Sequence, residues 1–169
     1  RQTLAILQKY NKSLKILKFK TGAKVFDWTI PKEWFVKNAW IKDYKNKKIV
    51  DFKKNNLHLV GYSKKTKLIL TKDELLKKLH SLKEHPNAIP YITSYYKKYW
   101  GFCVSENLKK KIQKKYNAFD KFKILINSRF NKKGYLNYGE YFLKGKSNKE
   151  ILISTYICHP SMANNELSG

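Results

Sequence analysis

The residues best placed to do chemistry lie near the end of the chain. The run Glu150 to Ile157 is almost continuously apolar, the pattern of a strand buried on both faces, and it delivers His159 at its carboxyl end. Open α/β sheets place ligands at that end of their strands. The loop that follows carries one carboxylate, Glu166, ahead of Leu167-Ser168-Gly169, which can open a helix. Imidazole and carboxylate donors suit a hydrolytic zinc site, where an open coordination position leaves room for an activated water. The same spacing also fits a hydrogen-bonded loop histidine with no metal.

Other reactive side chains have weaker settings. Cys158 and His159 are sequential, so in a strand they point to opposite faces and cannot form a nucleophile–base pair. Cys158 reads as a small core residue. Cys103 sits in an aromatic run and reads as core too, with a cysteine hydrolase built on Cys103 and His159 as the alternative. His58 alternates with Leu57 and Leu59, which predicts a solvated strand face. His80 falls on the polar side of an expected helix and His85 in a turn, so no metal is expected at these three. The block Tyr95 to Phe102, flanked by Lys97 and Lys98, either stacks bases or sugar rings or forms the core and rim of a β-rich module. The pairs Asp27-Trp28 and Glu33-Trp34 either line a pocket or pack with a salt bridge. No Gly-rich phosphate loop is present, which counts against a nucleotide enzyme.

The elements that must position these groups follow from periodicity. Residues 2–10 carry apolar positions at helical spacing, and Leu14 to Phe19 reads as a strand closed by Thr21-Gly22. A second strand, Lys24 to Thr29, meets Pro31. Short strands are expected over Asn38 to Ile41, Lys48 to Phe52 and Leu57 to Tyr62. Thr71 and Glu74 form a capping box ahead of Leu75, Leu76, Leu79 and Leu82, which predicts a helix from Lys72 to Leu82. Leu108 to Tyr116 predicts a basic helix. Phe122 to Ser128 and Tyr135 to Leu143 read as antiparallel strands joined by the turn Asn131 to Gly134. Both ends look α/β-like, and the middle looks like a strand-rich module. An α/β domain, residues 1–24 and 121–169, interrupted by an inserted β-rich α+β module, residues 25–120, fits best.

Composition narrows the classes. The 169 residues are 42% hydrophobic and 15% aromatic, enough to bury a core, so wholesale disorder is excluded. No apolar run reaches the ~18 residues of a membrane-spanning helix, and the first residues do not read as a basic-then-apolar signal peptide, so none is expected. Two cysteines exclude a disulfide scaffold. The chain reads as part of a longer protein, expected to be cytoplasmic. Net charge is +25, which normally points to a polyanion partner. Yet only Arg1 and Arg129 among the 37 basic residues are arginine. Base readout relies on arginine forks, so a solvated lysine surface is the favoured reading and nucleic acid is not the expected partner.

The run His159-Pro160-Ser161-Met162-Ala163-Asn164-Asn165-Glu166-Leu167-Ser168-Gly169 resembles the first metal motif of bacterial aminopeptidase-like proteins. These are relatives of the zinc aminopeptidases that carry an inserted domain of unknown function and are often encoded among polysaccharide-biosynthesis genes. The resemblance covers most of the chain. Thr21 to Trp34 is similar to the family's approach to its inserted domain. Leu57 to Ser63, Ile89 to Tyr91 with Thr93 to Tyr96, and Trp100 to Cys103 are similar to later blocks. The resemblance implies a zinc-exopeptidase-like α/β/α domain, present here as its N-terminal portion. It implies a metallohydrolase of aminopeptidase type with one or two zinc ions, acting on a peptide or an amide-bearing small molecule. His159 matches the histidine that binds one zinc. The aspartate that bridges both zincs in the enzymes falls on Asn165, and a neutral amide cannot bridge two cations as a carboxylate does. Glu166 is the alternative ligand. The general base is expected beyond Gly169. A catalytically inactive relative that binds a saccharide or a protein is the alternative function, and non-specific nucleic-acid binding a third. No membrane partner is expected, and self-association is compatible with the sequence.

Overall fold

The computed structural model describes residues 2–155. The chain divides into two compact units, one made of residues 1–33 and 132–169 and the other of Trp34–Asn131. Both mix helices and strands, so the chain is of mixed α/β type.

In the first unit, helix α1 (Gln2–Tyr10) leads through Asn11 into strand β1 (Lys15–Lys20). Gln8 Nε2 donates to the Leu14 carbonyl at 2.8 Å and so ties the helix end to the strand start. β1 pairs antiparallel with β10 (Tyr135–Glu140), Lys15 opposite Glu140 and Lys20 opposite Tyr135. Phe19 and Tyr138 stack across this ribbon at 5.4 Å, a diagonal pair on one face. The expected single strand from Lys24 to Thr29 is instead a miniature hairpin, β2 (Lys24–Val25) against β3 (Trp28–Thr29). Phe26 at φ 54° turns the chain there.

The second unit holds a four-stranded sheet in the order β5-β4-β9-β6. Its strands are β4 (Glu33–Lys42), β5 (Lys48–Asp51), β6 (Thr66–Thr71) and β9 (Lys121–Asn131). β9 alternates strictly at its start. Phe122, Ile124, Ile126 and Ser128 are buried while Lys121 and Lys123 face water. Phe122, Ile124 and Ile126 form one apolar face with Ala39, Ile41 and Val50. Leu75 of helix α2 (Lys72–Leu76), Ile112 of helix α3 (Glu106–Lys115), and Phe102 and Val104 join the same core. The Thr71 capping box is present in full, and Ser105 caps α3 by accepting from the Leu108 N–H. The turn after β4 is held by Asp43, whose Oδ1 accepts from the N–H groups of Lys45 and Lys47 and whose Oδ2 accepts from the buried Tyr116 hydroxyl.

Several expectations are corrected. The helix expected to reach Leu82 stops at Leu76. Leu79–His80 is a short strand, β7, pairing in parallel with β8 (Phe102–Cys103), which buries Leu79 without helical structure. Leu57 to Tyr62 is not a ladder strand. Asn56–His58 is a single 3₁₀ turn, and Leu59 and Gly61 make isolated bridges to Phe102 and Thr93. The hairpin expected between Phe122 to Ser128 and Tyr135 to Leu143 does not form. β9 pairs within the second unit and β10 pairs β1 in the first, so the Asn131 to Gly134 turn links the units. Strand β6, the edge partner of β9, was not anticipated at all. Residues 150–155 carry no strand, and Ile151, Leu152 and Ile153 are 91%, 91% and 87% exposed. A strand buried on both faces needs a neighbour on each side, and among the described residues none pairs with this segment.

Candidate functional site

The expected metal ligands His159, Asn165 and Glu166 lie outside the described residues, as does Cys158. Among the described residues no group of three or more His, Cys, Asp and Glu side chains could hold a metal. Two of the other histidines, His58 and His80, have structural work. His58 Nδ1 donates to the Cys103 carbonyl at 2.8 Å, so its ring turns inward rather than to solvent. His80, in β7 rather than on a helix, shares a 2.9 Å hydrogen bond between Nε2 and the Tyr99 hydroxyl. Burial, aided by Lys109 and Lys78, holds the His80 pKa below its ordinary value. Cys103 is a free, fully buried thiol, and desolvation pushes its pKa up to about 12. Such a thiol is inert as a nucleophile, which agrees with a core role.

The described residues do bring one unusual constellation together, on the second unit. Its frame is the segment Leu59 to Lys64. Val60 N–H donates to Gly101, Gly61 N–H to Ile92, and Lys64 N–H to Tyr99, while Ser94 N–H and Oγ both donate to Gly61. A side chain at position 61 would meet Thr93 Oγ1 at 3.1 Å, so glycine permits this close approach. Ser63 is the anchor. It is fully buried, and its Oγ donates to Val60 at 2.6 Å. Its carbonyl accepts from Trp34 Nε1 at 3.0 Å and from Ser128 Oγ at 2.7 Å. The three sequence blocks Leu57 to Ser63, Ile89 to Tyr96 and Trp100 to Cys103 are thereby woven into one layer.

That frame presents aromatic rings. Tyr62 stacks on Trp34 at 5.8 Å and 12°, meets Tyr95 at 4.9 Å and 38°, and meets Phe130 at 6.1 Å. Tyr95 in turn meets Tyr96 at 6.3 Å and 32°. Tyr62 and Tyr95 both sit in the left-handed region, at φ 63° and 36°. For residues with a Cβ this costs about 1–2 kcal/mol each, and such outliers persist only where the surroundings enforce them. Burial, and then the phenols of Tyr95, Tyr91 and Tyr96, raise the Tyr62 pKa. Of the block Tyr95 to Phe102, Trp100 and Phe102 are core, whereas Tyr95 and Tyr96 remain 50% and 61% exposed. The block thus divides into a buried part and an exposed rim. The sequence reading missed Trp34, Tyr62 and Phe130 as partners of this cluster, because nothing local relates positions 34, 62, 95 and 130.

With the second unit defined by its own core and its own aromatic surface, comparison with known proteins becomes specific. Residues 33–129 match the family model described as Domain of unknown function (DUF2172), and the match covers nearly the same span as the second unit, Trp34–Asn131. The chain belongs to this family. Over 171 aligned residues the DUF2172 chain is 43% identical to a Clostridium acetobutylicum protein named "Putative polysaccharide biosynthesis protein with aminopeptidase-like domain". The alignment takes in 100% of the chain and 37% of that protein. A crystal structure of a "putative peptidase" from the same organism matches with a TM-score of 0.84 and 43% identity, over 97% of the chain and 37% of that structure. The DUF2172 chain thus spans little more than a third of these relatives and is itself a relative of aminopeptidase-like proteins.

Proposed function

We propose that the chain is the N-terminal portion of an aminopeptidase-like metallohydrolase that cleaves a peptide or amide bond. Its first unit would belong to a zinc-exopeptidase-like α/β/α domain, and the DUF2172 unit would be the insertion within it. The observation that carries this reading is the 43% identity, over the whole chain, to a relative named for an aminopeptidase-like domain. The resemblance of the His159 to Gly169 run to a metal motif supports it.

His159 and Glu166 are the residues that would hold zinc, with Asn165 in the place of a bridging carboxylate. Zinc would polarise the scissile carbonyl and lower the pKa of a bound water. Two good donors are short of the three protein ligands of a catalytic zinc site, so the donor set of this chain fits the metal only in part. Glu166 supplies the negative charge that Asn165 lacks. The experiment is metal analysis of the full-length protein together with hydrolysis of aminoacyl amides with and without chelator. Bound zinc and chelator-sensitive hydrolysis, both lost in His159→Ala, are expected. A metal-free, inactive full-length protein would overturn the reading.

A further inference from the structure

The aromatic cluster of the second unit has a chemistry of its own, independent of the hydrolase reading. Tyr62 meets Trp34, Phe130 and Tyr95, Tyr95 meets Tyr96, and Tyr95, Tyr96 and the nearby Tyr91 are 50%, 61% and 45% exposed. Apolar surface left in water forgoes the gain of burial, and here several aromatic rings in mutual contact forgo it together. Here the backbone takes two left-handed residues, at Tyr62 and Tyr95, and the rings still face outward. The frame behind them is rigid, through the buried Ser63 and the bonds from Gly61 to Ile92 and Ser94. A row of exposed aromatics on a hydrogen-bonded frame offers a ligand flat faces already held in place.

Charge identifies the ligand further. The two segments that build the row, residues 52–72 and 85–105, contain no Asp or Glu. Lys64 and Lys65 follow Tyr62, Lys97 and Lys98 follow Tyr96, and all four are exposed. The exposed tyrosines offer flat faces and phenol groups that donate and accept hydrogen bonds. Successive rings from Tyr62 to Tyr96 are tilted by 38° and 32° rather than parallel, which suits separate contacts along a winding chain more than the parallel stacking of bases. The geometry points to a binding site for an acidic saccharide. Sugar C–H faces lie on Tyr95 and Tyr96, sugar hydroxyls pair with the phenols, and sugar carboxylates meet the four lysines.

The test is calorimetric titration of the 169-residue chain with a galacturonic acid oligomer, its methyl-esterified neutral form, and an oligothymidylate of matched charge. Saturable binding of the acidic oligomer is expected, weaker for the neutral form and for the oligothymidylate. The double variant Tyr95→Ala, Tyr96→Ala keeps the net charge of +25, so a loss of at least tenfold in affinity isolates the rings from general lysine attraction. Tyr95→Phe, Tyr96→Phe keeps the stacking faces, guards against a folding defect, and is expected to retain most of the affinity. Unchanged binding in the alanine pair would overturn the proposal. So would equal affinity for the neutral oligomer, tighter binding of the oligothymidylate, or no saccharide binding at all.

Discussion

The two units spend their apolar residues in opposite ways. Residues 34–131 bury a continuous cluster that runs from Ala39 and Ile41 through Leu75 and Phe102 to Phe122, Ile124 and Ile126. In the first unit Ile30 is the only buried apolar side chain among the described residues, while Ile6, Leu7, Phe19, Trp28, Phe142 and Ile151 are exposed. A unit with its own core can stand alone, and a unit that shows its apolar residues to water has the surface of an interface. The difference therefore separates a unit with its own buried core from one whose apolar residues stay at the surface.

The comparison can be broken most decisively at Phe122, fully buried beside Tyr116 at 4.9 Å. Phe122→Ala should cost about 3–5 kcal/mol, read from urea denaturation. A change below about 1 kcal/mol would mean that the second unit has no real core. Next comes the buried bond from the Tyr116 hydroxyl to Asp43 Oδ2, at 3.0 Å. Burial first, and then this bond, push the Tyr116 pKa up to about 12. Tyr116→Phe leaves a buried carboxylate oxygen without its donor, so a loss of about 1–3 kcal/mol is expected in the same assay.

A smaller effect should appear with pH. Because the folded-state pKa of His80 is depressed below 6.5, the unfolded chain binds the proton more readily between the two values. His80 therefore contributes stability that is fully present above pH 6.5 and is lost as pH falls through the folded pKa. NMR titration of its ring should give a midpoint below 6.5, and a midpoint above that value would show that burial is not the governing influence. The smallest change belongs to the first unit. Phe142 is largely exposed, so Phe142→Ser should alter the melting of the 169-residue chain by no more than about 0.5 kcal/mol. A large loss there would erase the contrast between the units.

Legibility in the sequence followed the range of the forces involved. The Thr71 cap and α3 were readable because capping acts over three residues and amphipathic spacing over four. β1 and β5 were readable from apolar runs bounded by turns, whereas of β4 only Asn38 to Ile41 was, its first half from Glu33 being missed. Strand β6 was passed over because Lys67-Leu68-Ile69-Leu70 lies between lysines and a helix cap, and only its pairing with β9 makes it a strand. Leu79 looked helical because its spacing from Leu75 and Leu76 fits a helix, yet pairing with Phe102 buries it in extended form. Nothing in local pattern distinguishes a β9–β10 hairpin from two strands that leave for different sheets.

By itself, then, the sequence determined the Thr71 cap, strand β1, helix α3, the lysine-rich charge and the resemblance that leads to the aminopeptidase-like proteins. Those depend on neighbours along the chain, or on residue types alone. Only the tertiary structure decided that β9 belongs with β4 and β6 and that Ser63 pins the segment behind Tyr62. It alone drew Trp34, Tyr62, Tyr95 and Phe130 onto one surface. Those contacts join residues tens of positions apart. Their energy comes from burying shared surface and satisfying the hydrogen bonds of backbone that no local segment could satisfy by itself.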